Sequence, residues 1–251
     1  PWHDHPATRK CWLNAFQVDP ETSVLRNNSM NGALVSSFLF ELAEMAAVSR
    51  PLAGGFHLME LVRGSLHFHL GCEHPAHELW PGYGADAAAS RSSVLIAACP
   101  VARHGSTPDG WVRERWERLD RMAQDLLAMD RDGDGILEDR ASGNSGIKQK
   151  GAIWFDTIVA SWKVSMSNAL ACRAFSDFAG LAESCGRSPR PWRRAAADIK
   201  AGFQEAFYNE ETGILAGWRS RDGSLHDHWF TWASTVPIAE GLIEPAEGRR
   251  I

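Results

Sequence analysis

At 251 residues, the chain is long enough to bury one large core or two small ones. Hydrophobic residues make up 44% and charged residues 23%, the balance of a folded globular protein and far from that of a disordered one. A formal net charge of -5 with no basic block excludes the electrostatic footprint of a nucleic-acid binder, and no run reaches the ~18 apolar residues that span a bilayer.

Eleven Trp stand against two Tyr, an aromatic balance that supplies flat apolar faces for cores and for sugar rings alike. The five Cys (Cys11, Cys72, Cys99, Cys172, Cys185) are odd in number and never spaced as CxxC, so they read as reduced thiols. That reading favours the cytoplasm over an oxidising compartment. The chain opens at Pro1 without Met, and Glu247-Gly-Arg-Arg-Ile251 reads as the start of a further helix; both ends are expected to be internal to a longer protein.

Taken in chain order, Leu34, Phe38, Leu42 and Met45 mark the first amphipathic helix. Phe56 to Leu70 follows as a helix weakened by Gly64, and Ser90 to Arg103 as one that Pro100 should kink or end. Val112, Trp116, Leu119, Ala123 and Leu126 define the next apolar stripe. The acidic turn Asp130-Arg-Asp-Gly-Asp-Gly-Ile-Leu-Glu138 comes after it, then a polar loop and Trp154-Phe-Asp156. Val164 to Cys185 is a long helix with an Arg173–Asp177 pair and Gly186 as its cap. A helix over Arg193 to Tyr208 follows Pro189 and Pro191. Ile214 to Ser220 and Leu225 to Phe230 form a β-hairpin turned at Asp222-Gly223, and Thr231 to Ile243 resumes helix with Pro237 near its middle. Leu42-Ala-Glu44 and Leu181-Ala-Glu183 give a faint internal echo. Helix pairs with elaborated loops fit a toroid of helical hairpins better than a bundle, whose connections are short.

The acidic turn places Asp130, Asp132, Asp134 and Gly135 at positions 1, 3, 5 and 6 of a calcium-binding loop, yet its twelfth position is Ala141 in place of a bidentate Glu. A structural calcium at Asp130, Asp132 and Asp134 and a plain tight turn both remain open; no other cofactor or catalytic metal is expected. The His-x-His pairs His3/His5, His67/His69 and His226/His228 lack the context of a zinc site, and no P-loop, GxSxG or dinucleotide fingerprint is present. Carboxylates remain. Glycoside cleavage needs one carboxyl kept protonated and a second kept ionised, and a carboxyl beside Trp has its charged form disfavoured. Asp156, flanked by Trp154 and Phe155, meets the first requirement, with an N-terminal helix cap as its structural alternative. Glu138 and Asp227 are the alternate second carboxylates, and Trp154, Trp218, Arg219, His226 and Trp229 the residues expected to hold a sugar.

The segments Asp130 to Glu138, Ser142-Gly-Asn-Ser145, Trp154-Phe-Asp156, Ser167-Asn-Ala-Leu-Ala171, Leu181-Ala-Glu183, Gly217-Trp-Arg-Ser220 and Leu225-His-Asp227 resemble the central stretch of six-hairpin glycosidases, the glucosidase, trehalase, rhamnosidase and bile-acid β-glucosidase-like families. The likeness runs from Ser90 to Leu242; the part before Phe56 adds almost nothing. It implies an all-α fold, a partial (α/α)6 toroid with a short β-hairpin near 214–230, and one catalytic domain over 1–251, incomplete at both ends and least defined over 1–55. It also implies a glycoside hydrolase acting on O-glycosyl bonds with two acidic catalysts. Asp156 falls where the β-glucosidase-like members carry their acid/base Asp, whereas glucosidase and trehalase members place the acid nearer the Ser-Gly element, where this chain has Asn144. The expected partners are a carbohydrate substrate and the remainder of the toroid, with neither nucleic acid nor membrane. A non-catalytic carbohydrate-binding scaffold and a toroid epimerase or lyase are the alternatives.

Overall fold

The computed structural model describes residues 31–51, 55, 57–70, 88–104, 108–139, 160–228 and 230–248, together with two short strands at 16–18 and 25–27. Trp154, Asp156 and Trp229, along with Cys11, Cys72, Ala141, Asn144 and the pair His3/His5, lie outside the described residues. The elements in order are β1 (Phe16–Val18), β2 (Leu25–Asn27), α1 (Asn31–Val48), α2 (Leu58–His69), α3 (Ala88–Arg103), α4 (Pro108–Leu127), β3 (Glu138–Asp139), β4 (Trp162–Val164), α5 (Ser165–Ser184), α6 (Arg190–Phe207), β5 (Tyr208–Asn209), β6 (Ile214–Leu215), β7 (Trp218–Arg219), β8 (Leu225–His226), α7 (Thr231–Ala239) and α8 (Pro245–Gly248). The protein is mostly helical, with small antiparallel sheets.

Two kinds of helix are built by two kinds of sequence. In α4, Val112, Leu119, Ala123 and Leu126 are buried while Arg113, Glu114, Glu117 and Arg121 face solvent, the one-sided stripe of an outer helix. In α6, Trp192, Ala195, Ile199, Phe203 and Phe207 form the same stripe. By contrast, α3 and α5 are buried almost all round, which their small and apolar residues permit and which marks an inner helix. Pro100 removes the N–H that would bond the Ile96 carbonyl, but α3 still runs one turn further to Arg103.

The packing follows from this difference. Helix α3 lies against α1, α2, α4 and α5, and α5 against α3, α6 and α7, while each even-numbered helix packs on the odd-numbered one before it. Trp116 of α4 stacks on Phe178 of α5 at 5.3 Å, and Trp192 of α6 lies 6.1 Å from Phe175 and 5.3 Å from Phe178. Arg173 of α5 reaches Glu44 of α1, Asp177 of its own helix at 3.4 Å and Glu240 after α7 at 3.1 Å. Cys99, Cys172 and Cys185 are free thiols.

Connections out of odd-numbered helices are short (49–57, 104–107, 185–189, 240–244), whereas those leading into them are long (70–87, 128–164, 208–230). A four-stranded antiparallel sheet, ordered β3-β4-β7-β8, draws the second and third of the long connections together. Val164 of β4 passes directly into α5, β8 leads through Phe230 to α7, and Asp139 of β3 accepts a hydrogen bond from the Ala88 N–H that opens α3 (3.0 Å). The N-termini of α3, α5 and α7 therefore meet at one end.

Several expectations are corrected here. The first arm of the expected hairpin is divided: Ile214 and Leu215 pair back with Asn209 and Tyr208, and only Trp218 and Arg219 pair with His226 and Leu225. The switch occurs over two residues, since Ala216 N–H bonds the Phe207 carbonyl and Gly217 N–H bonds that of His226. Glycine is needed there because a Cβ would lie 2.7 Å from the Phe230 ring. The turn is where it was expected, with Gly223 at φ +89 and Asp222 accepting from Ser224 N–H. Helix α7 stops at Ala239, short of Ile243, because Gly241 turns at φ +70 and Leu242 N–H bonds the Pro237 carbonyl, a left-handed helix end. The same device, with Gly186 at φ +69 and Arg187 N–H on the Ala182 carbonyl, ends α5 as expected.

Candidate functional site

The loop between α4 and β3 winds around its own carboxylates. Asp130 accepts from the N–H groups of Gly133 (2.9 Å) and Gly135 (3.1 Å), Asp132 from Asp134 (3.3 Å), and Asp134 from Ile136 (2.9 Å). Gly133 and Gly135 sit at φ +78 and +87, conformations that a Cβ disfavours. Asn168 of α5 locks the exit: its Oδ1 accepts from Leu137 N–H, and its Nδ2 donates to the carbonyls of Leu137 and Val164. Counted from Asp130, Glu138 is the ninth residue, and it turns inward. Asp130, Asp132, Asp134 and Glu138 offer oxygens all within 4.8 Å of one another, a set able to hold a metal ion. The residue that closes the ring is thus Glu138, three positions before the Ala141 on which the sequence comparison turned.

A cation of the protein's own stands among these oxygens. Lys163 of β4 donates to Asp132 Oδ2 at 2.8 Å and to Asp134 Oδ2, and its Nζ lies 3.4 Å from Glu138 Oε1. Burial alone would push this ammonium down, but its hydrogen bonds to Asp132 and Asp134 outweigh that and hold its pKa above the usual lysine value. Glu138 is wholly buried, with Oε2 accepting from Arg131 N–H at 2.6 Å; burial raises its pKa. Its carboxylate is enclosed and faces Lys163, so a direct encounter with a sugar is not what this geometry offers.

On the far strands of the same sheet, Trp218 is buried and stacks on His226 with ring centroids 4.3 Å apart. His226 Nε2 lies 2.7 Å from Ser220 Oγ. Arg219 is engaged by the preceding helix: its Nε and Nη2 donate to the carbonyls of Ala206 (2.8 Å) and Glu205 (2.9 Å), which end α6. Asp227 Oδ2 accepts from Thr212 Oγ1 at 2.6 Å and Asn209 Nδ2 at 2.8 Å. The Thr212 bond holds its pKa below the ordinary carboxylate value, favouring the ionised form. Beside it, exposed His228 lies 6.0 Å from Phe230, edge to face, and Phe230 stacks on Trp232 at 5.1 Å. The rings of His226 and His228 lie 6.2 Å apart, and no His belongs to a metal-ligand group among the described residues.

Trp162, opposite Asp139 in the β3–β4 ladder, adopts φ 70. For so bulky a residue this is a strained backbone, and the Arg221 guanidinium lies over its ring at 5.1 Å. No family model matches the chain, and no curated protein does either.

The sheet therefore joins Glu138, Trp218, Arg219 and His226, with Asp227 directly after β8, whereas Trp154, Asp156 and Trp229 fall outside the description. Sequence reasoning missed Lys163, Asp139 and Asn168. The one available signal was a lysine between Trp162 and Val164, a charge inside an apolar run that enters a buried helix.

Proposed function

We propose that the chain is a carbohydrate-active hydrolase that cleaves an O-glycosidic bond, built as an arc of an (α/α)6 toroid of the six-hairpin glycosidase type. The arc is supported by two helices buried almost all round, α3 and α5, each packed on the other and each carrying a one-sided helix, α4 and α6, on its outside. The observation that carries the function is the gathering of two long connections, 128–164 and 208–230, at one helix end by the β3-β4-β7-β8 sheet. The segment bearing Trp154 and Asp156 departs from Asp139 of β3 and returns at Ala160, two residues before β4. Chemistry in helical scaffolds resides on such loops.

In this reading Asp156, beside Trp154, protonates the leaving oxygen, and the ionised carboxylate of Asp227 meets the developing positive charge or the attacking water. His226 and His228 line the same strand end. Glu138 supports the floor of the site through Lys163. The hard oxygen donors of the carboxylate ring suit calcium rather than zinc, but Lys163 Nζ stands among them and holds the loop.

Asp156→Asn is expected to lower glycoside turnover by about 10²- to 10⁴-fold with little change in unfolding temperature. Glu138→Gln is expected to do the opposite, lowering stability more than turnover. Full activity in Asp156→Asn across every sugar that the wild type hydrolyses would overturn the assignment. Glycan binding without turnover would instead identify a binding scaffold, and an isomerised or unsaturated sugar product an epimerase or lyase.

A further inference from the structure

We propose that Lys163 is the resident cation of a calcium-type loop: the Asp130–Glu138 turn closes on this ammonium without metal, and becomes a calcium site only when the ammonium is removed. The inference is independent of the proposed hydrolase activity.

Four carboxylates within 4.8 Å of one another repel strongly unless a cation stands between them. Lys163 supplies it. Its Nζ lies 2.8 Å from Asp132 and 3.4 Å from Glu138 and bonds Asp134 as well, so an ammonium with three protons faces three carboxylates. Strand register builds this placement in: Glu138 and Lys163 are directly opposed in the β3–β4 ladder, and opposed residues project from the same face of a sheet. The lysine side chain is only 6% exposed, buried with its charge paired, which is the condition under which proteins keep a buried ion. Calcium bound by the same oxygens at ~2.3–2.6 Å would need the space that Nζ fills and would meet its charge at close range. Ammonium and calcium are thus mutually exclusive occupants. The Asp-x-Asp-x-Asp-Gly spacing, the left-handed glycines and the inward Glu138 remain those of a cation loop; only the cation is covalently attached.

The test is thermal unfolding of the full chain in EDTA and in millimolar calcium chloride. The wild type is expected to unfold within about 1 °C in the two conditions, whereas Lys163→Met should unfold roughly 5–10 °C lower in EDTA. Calcium should then restore most of that loss, with Tm rising with the logarithm of its concentration. A wild-type Tm raised by calcium would overturn the proposal, as would a Lys163→Met protein on which calcium has no effect. If Lys163→Met does not fold, the Asp132→Asn/Asp134→Asn pair, which keeps the lysine, decides. An equal loss of Tm in EDTA and in calcium supports a resident ammonium, and a loss seen only in calcium overturns it.

Discussion

Glu138 and Asp139 are adjacent buried acids that a strand's two-residue period sends in opposite directions. Glu138 meets Lys163, whereas Asp139 meets the N-terminus of α3. Burial pushes the Asp139 carboxyl up to about 6, against the hydrogen bond from Ala88 N–H that favours its ionised form. The sign follows from which state ionises first. Below about pH 4 the carboxyl is protonated in both states and contributes no slope. Between about pH 4 and 6 the unfolded chain ionises while the folded one does not, so stability falls by about 3 kcal/mol as pH rises; above that window the loss is constant. Asp139→Asn keeps a carbonyl for Ala88 and is expected to flatten this slope in urea unfolding curves taken across the window, leaving the share of Glu138, which is shifted the same way. Part of this site was legible in the residues. The Asp and Gly spacing announced a turn around carboxylates, but a calcium template directs attention to the twelfth position, and Lys163 lies twenty-five residues beyond Glu138 in the chain, brought opposite it only by strand register.

At the scale of elements, periodicity located the long helices because burial on one face is a local property. It was less informative about ends. Helix α6 begins at Arg190 rather than Arg193 since Pro191 is accommodated in its first turn, and the strand after it pairs backward because Ala216 and Gly217 hand the chain from one ladder to the other. Arg219 shows the same limit. It was expected to hold a sugar, and its Nε and Nη2 are engaged at the end of α6, where a cation suits the exposed carbonyls. Arg219→Ala is expected to cost about 1–3 kcal/mol in urea unfolding, with Arg219→Lys recovering only part because the forked geometry is lost. A fall in kcat/KM with stability unchanged would return Arg219 to the substrate.

At the scale of the whole molecule, the helices are held by apolar contact and by polar ties, of which Arg173 makes the most extended. Arg173 joins three helices through Glu44, Asp177 and Glu240 and lies 6.0 Å over the Phe40 ring. Glu240 is 15% exposed, and its pKa is raised first by burial, so removing the guanidinium strands a carboxylate. Arg173→Leu is expected to destabilise by about 3–5 kcal/mol, and adding Glu240→Gln should return part of that loss in a double-mutant cycle. Helical class and the outer stripes were legible because they repeat along the chain; of the sheet that unites the helix ends only the β7–β8 hairpin was, since strands of two or three residues carry too short a pattern. No described helix is long and apolar enough to cross a membrane.

The unequal connections have one more consequence. Short links at one end leave little room for insertion without pulling helix pairs apart, while the long ones at the other end accept added or lost residues at small entropic cost. Sequence drift is thereby channelled: a descendant of this chain can lengthen or shorten 70–87 or 140–161 while the helices beneath stay as they are.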